Sequence, residues 1–122
     1  MLFISYIEFM RNYTLKYFET DSGQSPFVEW LETLKDRKTA AIIKARIERL
    51  RFGLFGDAKF LECDVFELRI HYGPGYRVYY RQSEGKIIVL LCAGDKSTQK
   101  KDIKMAIQYA KIIQETKDAK TS

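Results

Sequence analysis

Histidine and cysteine are scarce in this sequence: one histidine and two cysteines stand in 122 residues, too few for the His/Cys clusters that build zinc sites. Cys63 and Cys92 lie in unrelated contexts without metal-ligand spacing, so both are expected to be small core or near-core residues of a reducing compartment. Long apolar runs are missing too. The apolar stretch over residues 1–10 is too short to span a bilayer and has neither a basic n-region nor an A-x-A cleavage site. Repeats, low-complexity tracts and linkers are also lacking. A single cytoplasmic domain over residues 1–122, with no metal, cofactor or membrane, is the expectation. Acidic groups are outnumbered, 16 Asp and Glu against 21 Lys and Arg, for a net charge of +5. A basic domain of this size suits a polyanionic partner.

What is present is organised around residues 65–81, VFELRIHYGPGYRVYYR. Gly73, Pro74 and Gly75 form a turn cluster between two runs rich in β-branched and aromatic residues, which predicts a β-hairpin. Alternation places Phe66, Leu68, Ile70, Tyr76, Val78 and Tyr80 on an apolar face. The other face carries Glu67, Arg69, His71, Arg77, Tyr79 and Arg81. A three-residue GPG loop would set His71 opposite Arg77, Arg69 opposite Tyr79 and Glu67 opposite Arg81. A slip of one residue is forbidden, because it would turn Arg77 onto the apolar face.

Before the hairpin, alternation over residues 13–18 predicts a strand, and residues 1–11 read as its extension or as an appendage. Ser25 and Pro26 form an N-cap and first helical position. Phe27, Trp30, Leu31 and Leu34 then follow at helical spacing. A second helix is predicted over 37–52, with Ala40, Ile43, Ile47 and Leu50 as its stripe and Gly53 beyond its end. Its polar side carries Lys38, Lys44, Arg46, Arg49 and Arg51. Residues 56–64 read as a connecting loop or a ragged sheet edge. The continuous apolar run KIIVLLCA over 86–93 predicts a central strand covered on both faces. A last helix follows from about 98 to 115, striped by Ile103, Ala106, Ile107, Ala110 and Ile113, and 116–122 is expected to fray. The order β-α-α-β-β-β-α describes an α+β fold: a small, mainly antiparallel sheet with two helices on one face and a C-terminal helix, leaving the opposite face to the arginines.

The segments PFVEWLETL, FELRIHYGPGYRVYY and IIVLLCAGDKSTQKKDI, followed by an amphipathic helix, resemble the RelE/ParE toxin superfamily of type II toxin–antitoxin modules. Within it, the chain is most similar to the HigB-like, phage Gp49-like addiction module killer proteins. The likeness covers residues 13–113. Ala93 stands where a second glycine of GGDK would be expected. The resemblance implies a ribosome-dependent mRNA endonuclease that inhibits translation, with a HigA-like helix-turn-helix antitoxin as partner. ParE-like relatives instead poison DNA gyrase without cleaving RNA, and a degenerate module that only binds antitoxin is a further alternative. Residue by residue, the resemblance implies a basic role for Arg69 on the first hairpin strand, phosphate binding for Arg77 in GYR, and a basic position past the last strand for Lys96.

RNA cleaves when its 2′-hydroxyl attacks the adjacent phosphorus, so an enzyme activates that oxygen, neutralises the phosphorane and protonates the leaving 5′-oxygen. Guanidinium groups at Arg69 and Arg77 suit the charge. Histidine is the side-chain type that changes protonation near neutral pH, making His71 the candidate acid or base, with Lys96 the other. His71 equally suits a turn carbonyl, and Arg77 a cross-strand ion pair with Glu67. Arg81 is expected to be structural. Tyr79 either stacks on a base or fills the sheet surface. Lys100, Lys101 and Lys104 either track RNA backbone or form a solvated helix face.

Overall fold

The computed structural model describes residues 12–121; the expectation for residues 1–11 lies outside them. The chain runs β1 (Thr14–Tyr17), α1 (Pro26–Thr33), α2 (Arg37–Arg51), β2 (Ala58–Phe60), β3 (Val65–Ile70), β4 (Tyr76–Ser83), β5 (Ile87–Asp95), a 3₁₀ turn (Lys96–Thr98) and α3 (Gln99–Thr121). The sheet order is β1-β5-β4-β3-β2. β1 runs parallel to β5, and the other pairings are antiparallel. The α+β architecture is the expected one.

Local signals start and stop the helices. The Ser25 hydroxyl accepts from the Val28 N–H, with Pro26 at the first helical position. The Asp36 carboxylate caps α2, accepting from the Lys38 N–H and the Thr39 hydroxyl. Beyond α2, Gly53 takes φ +75° and donates to the Leu50 carbonyl, as a glycine past a helix end does. Phe27, Ile43, Ile47 and Leu50 of α1 and α2 then pack on the face formed by Leu68, Ile70, Val78, Tyr80, Ile88, Leu90 and Ala93.

Three expectations change. Of the loop or ragged edge expected over 56–64, residues 58–60 form a regular short edge strand, registered by Ala58 opposite Leu68. The last helix, expected to end near residue 115, extends to Thr121. The third change matters most for function: the sheet face carrying the arginines is not left open. Val65, Tyr79, Leu91 and Cys92 on that face pack against Ala106 and Ala110 of α3. The apolar run of β5 demands such a cover. An irregularity in β4–β5, where Tyr79 pairs with Cys92 but Tyr80 with Leu90, puts Leu91 and Cys92 together on the α3 side. A helix is needed to bury them. Of the cysteines, Cys92 is buried as expected, whereas Cys63 is exposed.

Candidate functional site

The hairpin loop spans residues 71–75, because Ile70 pairs with Tyr76. It is therefore longer than GPG, and the register differs from the expected one by a full pleat repeat: Arg69 faces Arg77 and Glu67 faces Tyr79. Faces survive such a shift, since side chains repeat every second residue. Turn bonds from the Tyr72 N–H to Ile70 and from the Gly75 N–H to Tyr72 consume the extra residues, with Gly73 and Gly75 both at positive φ. His71 consequently leaves the strand face. It lies in the loop, 70% exposed, with Nε2 2.6 Å from the accepting Oδ2 of Asp57. That bond lowers the Asp57 pKa, helped by the charges of Arg69 and Arg77, so the His71–Asp57 pair adjoins the arginines even though His71 is not opposite Arg77.

At the centre sits Glu67, 1% exposed. Its Oε1 accepts from Arg69 Nε at 3.1 Å and Arg77 Nη1 at 3.2 Å, and its Oε2 from the Tyr79 hydroxyl at 3.0 Å and Gln99 Nε2 at 2.9 Å. Burial alone would raise the carboxyl pKa, but the bonds from Gln99, Arg69 and Tyr79 and the charge of Arg77 outweigh it and hold the group below its ordinary value. Two like charges set opposite on a sheet face repel. The shared carboxylate offsets that repulsion and joins both guanidiniums in one cluster.

Residues 29–113 match the family described as "Phage derived protein Gp49-like (DUF891)". The chain belongs to this family, which is of the RelE toxin type. An "Uncharacterized protein" of Haemophilus influenzae is 55% identical to it over 80 residues, covering 66% of this chain and 81% of that protein. Membership makes this Gp49-like chain a toxin-like protein with an antitoxin as its general partner. The matched stretch starts within α1 and takes in every residue of the arginine cluster. Among the described residues, no helix is long and apolar enough to cross a membrane.

The structure sorts the remaining residues expected of a Gp49-like site. Tyr79 is fully buried, and its hydroxyl is committed to Glu67, so it has no ring face for a base; burial, then the Glu67 charge, raise its pKa far above the ordinary tyrosine value. The stacking role for Tyr79 is therefore replaced by an anchoring one. Arg81 is structural as expected but not through Glu67: it donates to Ser83 and Gln114 and lies 3.8 Å from Asp64. Lys96 follows β5 directly and lays its stem across Gly75, whose carbonyl accepts from the Lys96 N–H. Lys100, Lys101 and Lys104 are exposed on the first turns of α3. Arg69 remains 30% and Arg77 12% exposed at the side chain. Sequence reasoning missed Asp57 and Gln99. Neither carries a local signal, since each reaches the cluster only through the sheet edge or the packing of α3.

Proposed function

We propose that this Gp49-like chain is the HigB-like toxin of a type II toxin–antitoxin module and acts as a ribosome-dependent endoribonuclease on mRNA. The observation that carries the reading is the in-register Arg69–Arg77 pair, both guanidiniums bonded to one oxygen of a buried carboxylate. A transition state with charge on non-bridging phosphate oxygens is stabilised most by donors fixed in advance. Arg69, the more exposed of the two, and Arg77, through the part of its guanidinium left exposed, grip the scissile phosphate together. His71, one ring nitrogen hydrogen-bonded to Asp57, takes the proton of the attacking 2′-hydroxyl on its other ring nitrogen. Lys96, exposed beside the hairpin loop, gives a proton to the 5′-oxygen as its bond to phosphorus breaks and the 2′,3′-cyclic phosphate forms, and none of these steps needs a metal. Lys100, Lys101 and Lys104 extend the basic surface toward ribosomal RNA. The antitoxin is a HigA-like helix-turn-helix protein acting in the cytoplasm.

The test is inducible expression in a bacterial host with primer extension across an abundant translated mRNA. Discrete cuts in translated regions, absent when translation initiation is blocked, are the expected result. Growth arrest with intact mRNA and double-strand DNA breaks would replace this reading with gyrase inhibition.

A further inference from the structure

A buried carboxylate is costly to desolvate, and apolar residues of similar volume often replace buried ion clusters without loss of stability. Glu67 nevertheless occupies the middle of the α3-covered face, with each carboxylate oxygen accepting from two side-chain donors. The use of those donors is asymmetric. Arg69 gives only Nε and Arg77 only Nη1 to the carboxylate; Arg77 Nε is buried without a partner, so the nitrogens left over from these bonds for a ligand are the terminal pair of Arg69 and Nη2 of Arg77. Tyr79 from the neighbouring strand and Gln99 from α3 hold the second oxygen, which prevents the carboxylate from rotating about its own axis. A guanidinium tethered through one edge is planar and directional, and its other edge is preset for a phosphate.

We propose that Glu67 is a positioning residue: held by Tyr79 and Gln99, it fixes Arg69 and Arg77 so that their remaining N–H groups converge on one phosphodiester. The inference rests on the reading of the arginine pair as phosphate ligands. It follows that α3, through Gln99, sets the arginine geometry without touching RNA. A displacement of about 1 Å at a reacting centre costs on the order of 10²-fold in rate, and the tether supplies that order of placement.

The experiment measures single-turnover cleavage of a short mRNA on purified ribosomes, ribosome affinity by co-sedimentation, and solvent exchange of the Arg69 Nε–H by ¹⁵N NMR. Variants are Glu67→Gln and Gln99→Ala. Glu67→Gln should cleave about 10²-fold more slowly at saturating toxin, bind ribosomes within about twofold of wild type, because the exposed lysines that dominate affinity are intact, and lose protection of the Arg69 Nε–H. Gln99→Ala should slow cleavage in the same direction by a smaller factor. Wild-type cleavage by either folded variant, with only the melting midpoint lowered, would reduce Glu67 to a structural residue and overturn the proposal. Should Glu67→Gln not fold, Gln99→Ala decides, since it leaves the carboxylate and both arginines in place. Should the wild-type protein cleave no mRNA, the endoribonuclease reading fails by itself. The Arg69 Nε–H then tests the tether alone: protection in wild type that is lost in Glu67→Gln upholds it, and an unprotected wild-type signal overturns it.

Discussion

At the residue scale, the two arginines differ in what their loss does. Arg69→Ala removes a partly exposed donor, so cleavage should fall by roughly 10²–10³-fold, as when one preorganised oxyanion donor is lost; the denaturation midpoint should fall as well, since Arg69 Nε bonds Glu67 Oε1, but by less than for the more buried Arg77 because water can reach the vacated place. Arg77→Ala also deprives a nearly solvent-free carboxylate of one donor, and a buried acceptor left short costs ~1–3 kcal/mol. Its activity loss should therefore come with a lower urea midpoint, and an unchanged midpoint would contradict the buried Arg77–Glu67 bond. The same carboxylate gives a pH signature. Its folded pKa lies below the ordinary 4.5, so its contribution to stability is complete above that value and is lost as pH falls through the depressed folded value. Unfolding free energies of wild type and Glu67→Gln should converge as pH falls below the ordinary carboxyl value and through the depressed folded one. A difference that does not change with pH would mean Glu67 is not held as the anion.

At the element scale, the site depends on how closely α3 approaches the end of β5. Gly94 makes this approach possible: a Cβ there would collide with the Asp102 carboxylate and with the Thr98 hydroxyl at 2.7 Å. Gly94→Ala should cost ~1–3 kcal/mol, the range for overpacking, and should weaken cleavage because it pushes away the turn that carries Gln99. Thermal denaturation and primer extension together check this; a fully stable, fully active Gly94→Ala protein would show that α3 is free to shift. Gly75 is the matching close approach at the hairpin loop. It has φ +84°, and a Cβ would fall 2.8 Å from Lys96 Cε, so Gly75 couples the loop to the lysine past β5.

At the scale of the whole molecule, the +5 charge has an expected consequence for binding. Ribosome association should weaken as salt rises, each neutralised phosphate steepening the log–log slope by about 0.7–0.9. Charge reversal at Lys100 and Lys101 should reduce affinity more than Arg69→Ala does, and co-sedimentation indifferent to both salt and reversal would remove α3 from the RNA footprint. Most of the architecture was legible in the sequence. Helix starts follow from Ser25 and Pro26, and strand faces from period-2 alternation, both of which are local properties of the backbone. The basic character of Arg69, Arg77 and Lys96 was legible as well. Two of the site's features were not. Hairpin register is ambiguous by any even shift, because every such shift keeps the apolar face apolar, and the turn bonds of residues 71–75 chose between the alternatives. Whether the arginine face stays open depends on where α3 packs. Once Ala106 and Ala110 cover Leu91 and Cys92, Tyr79 becomes an anchor rather than a stacking surface. Alternation assigns a side chain to a face, but burial and partners depend on what lies across from that face, and only the tertiary structure decided those.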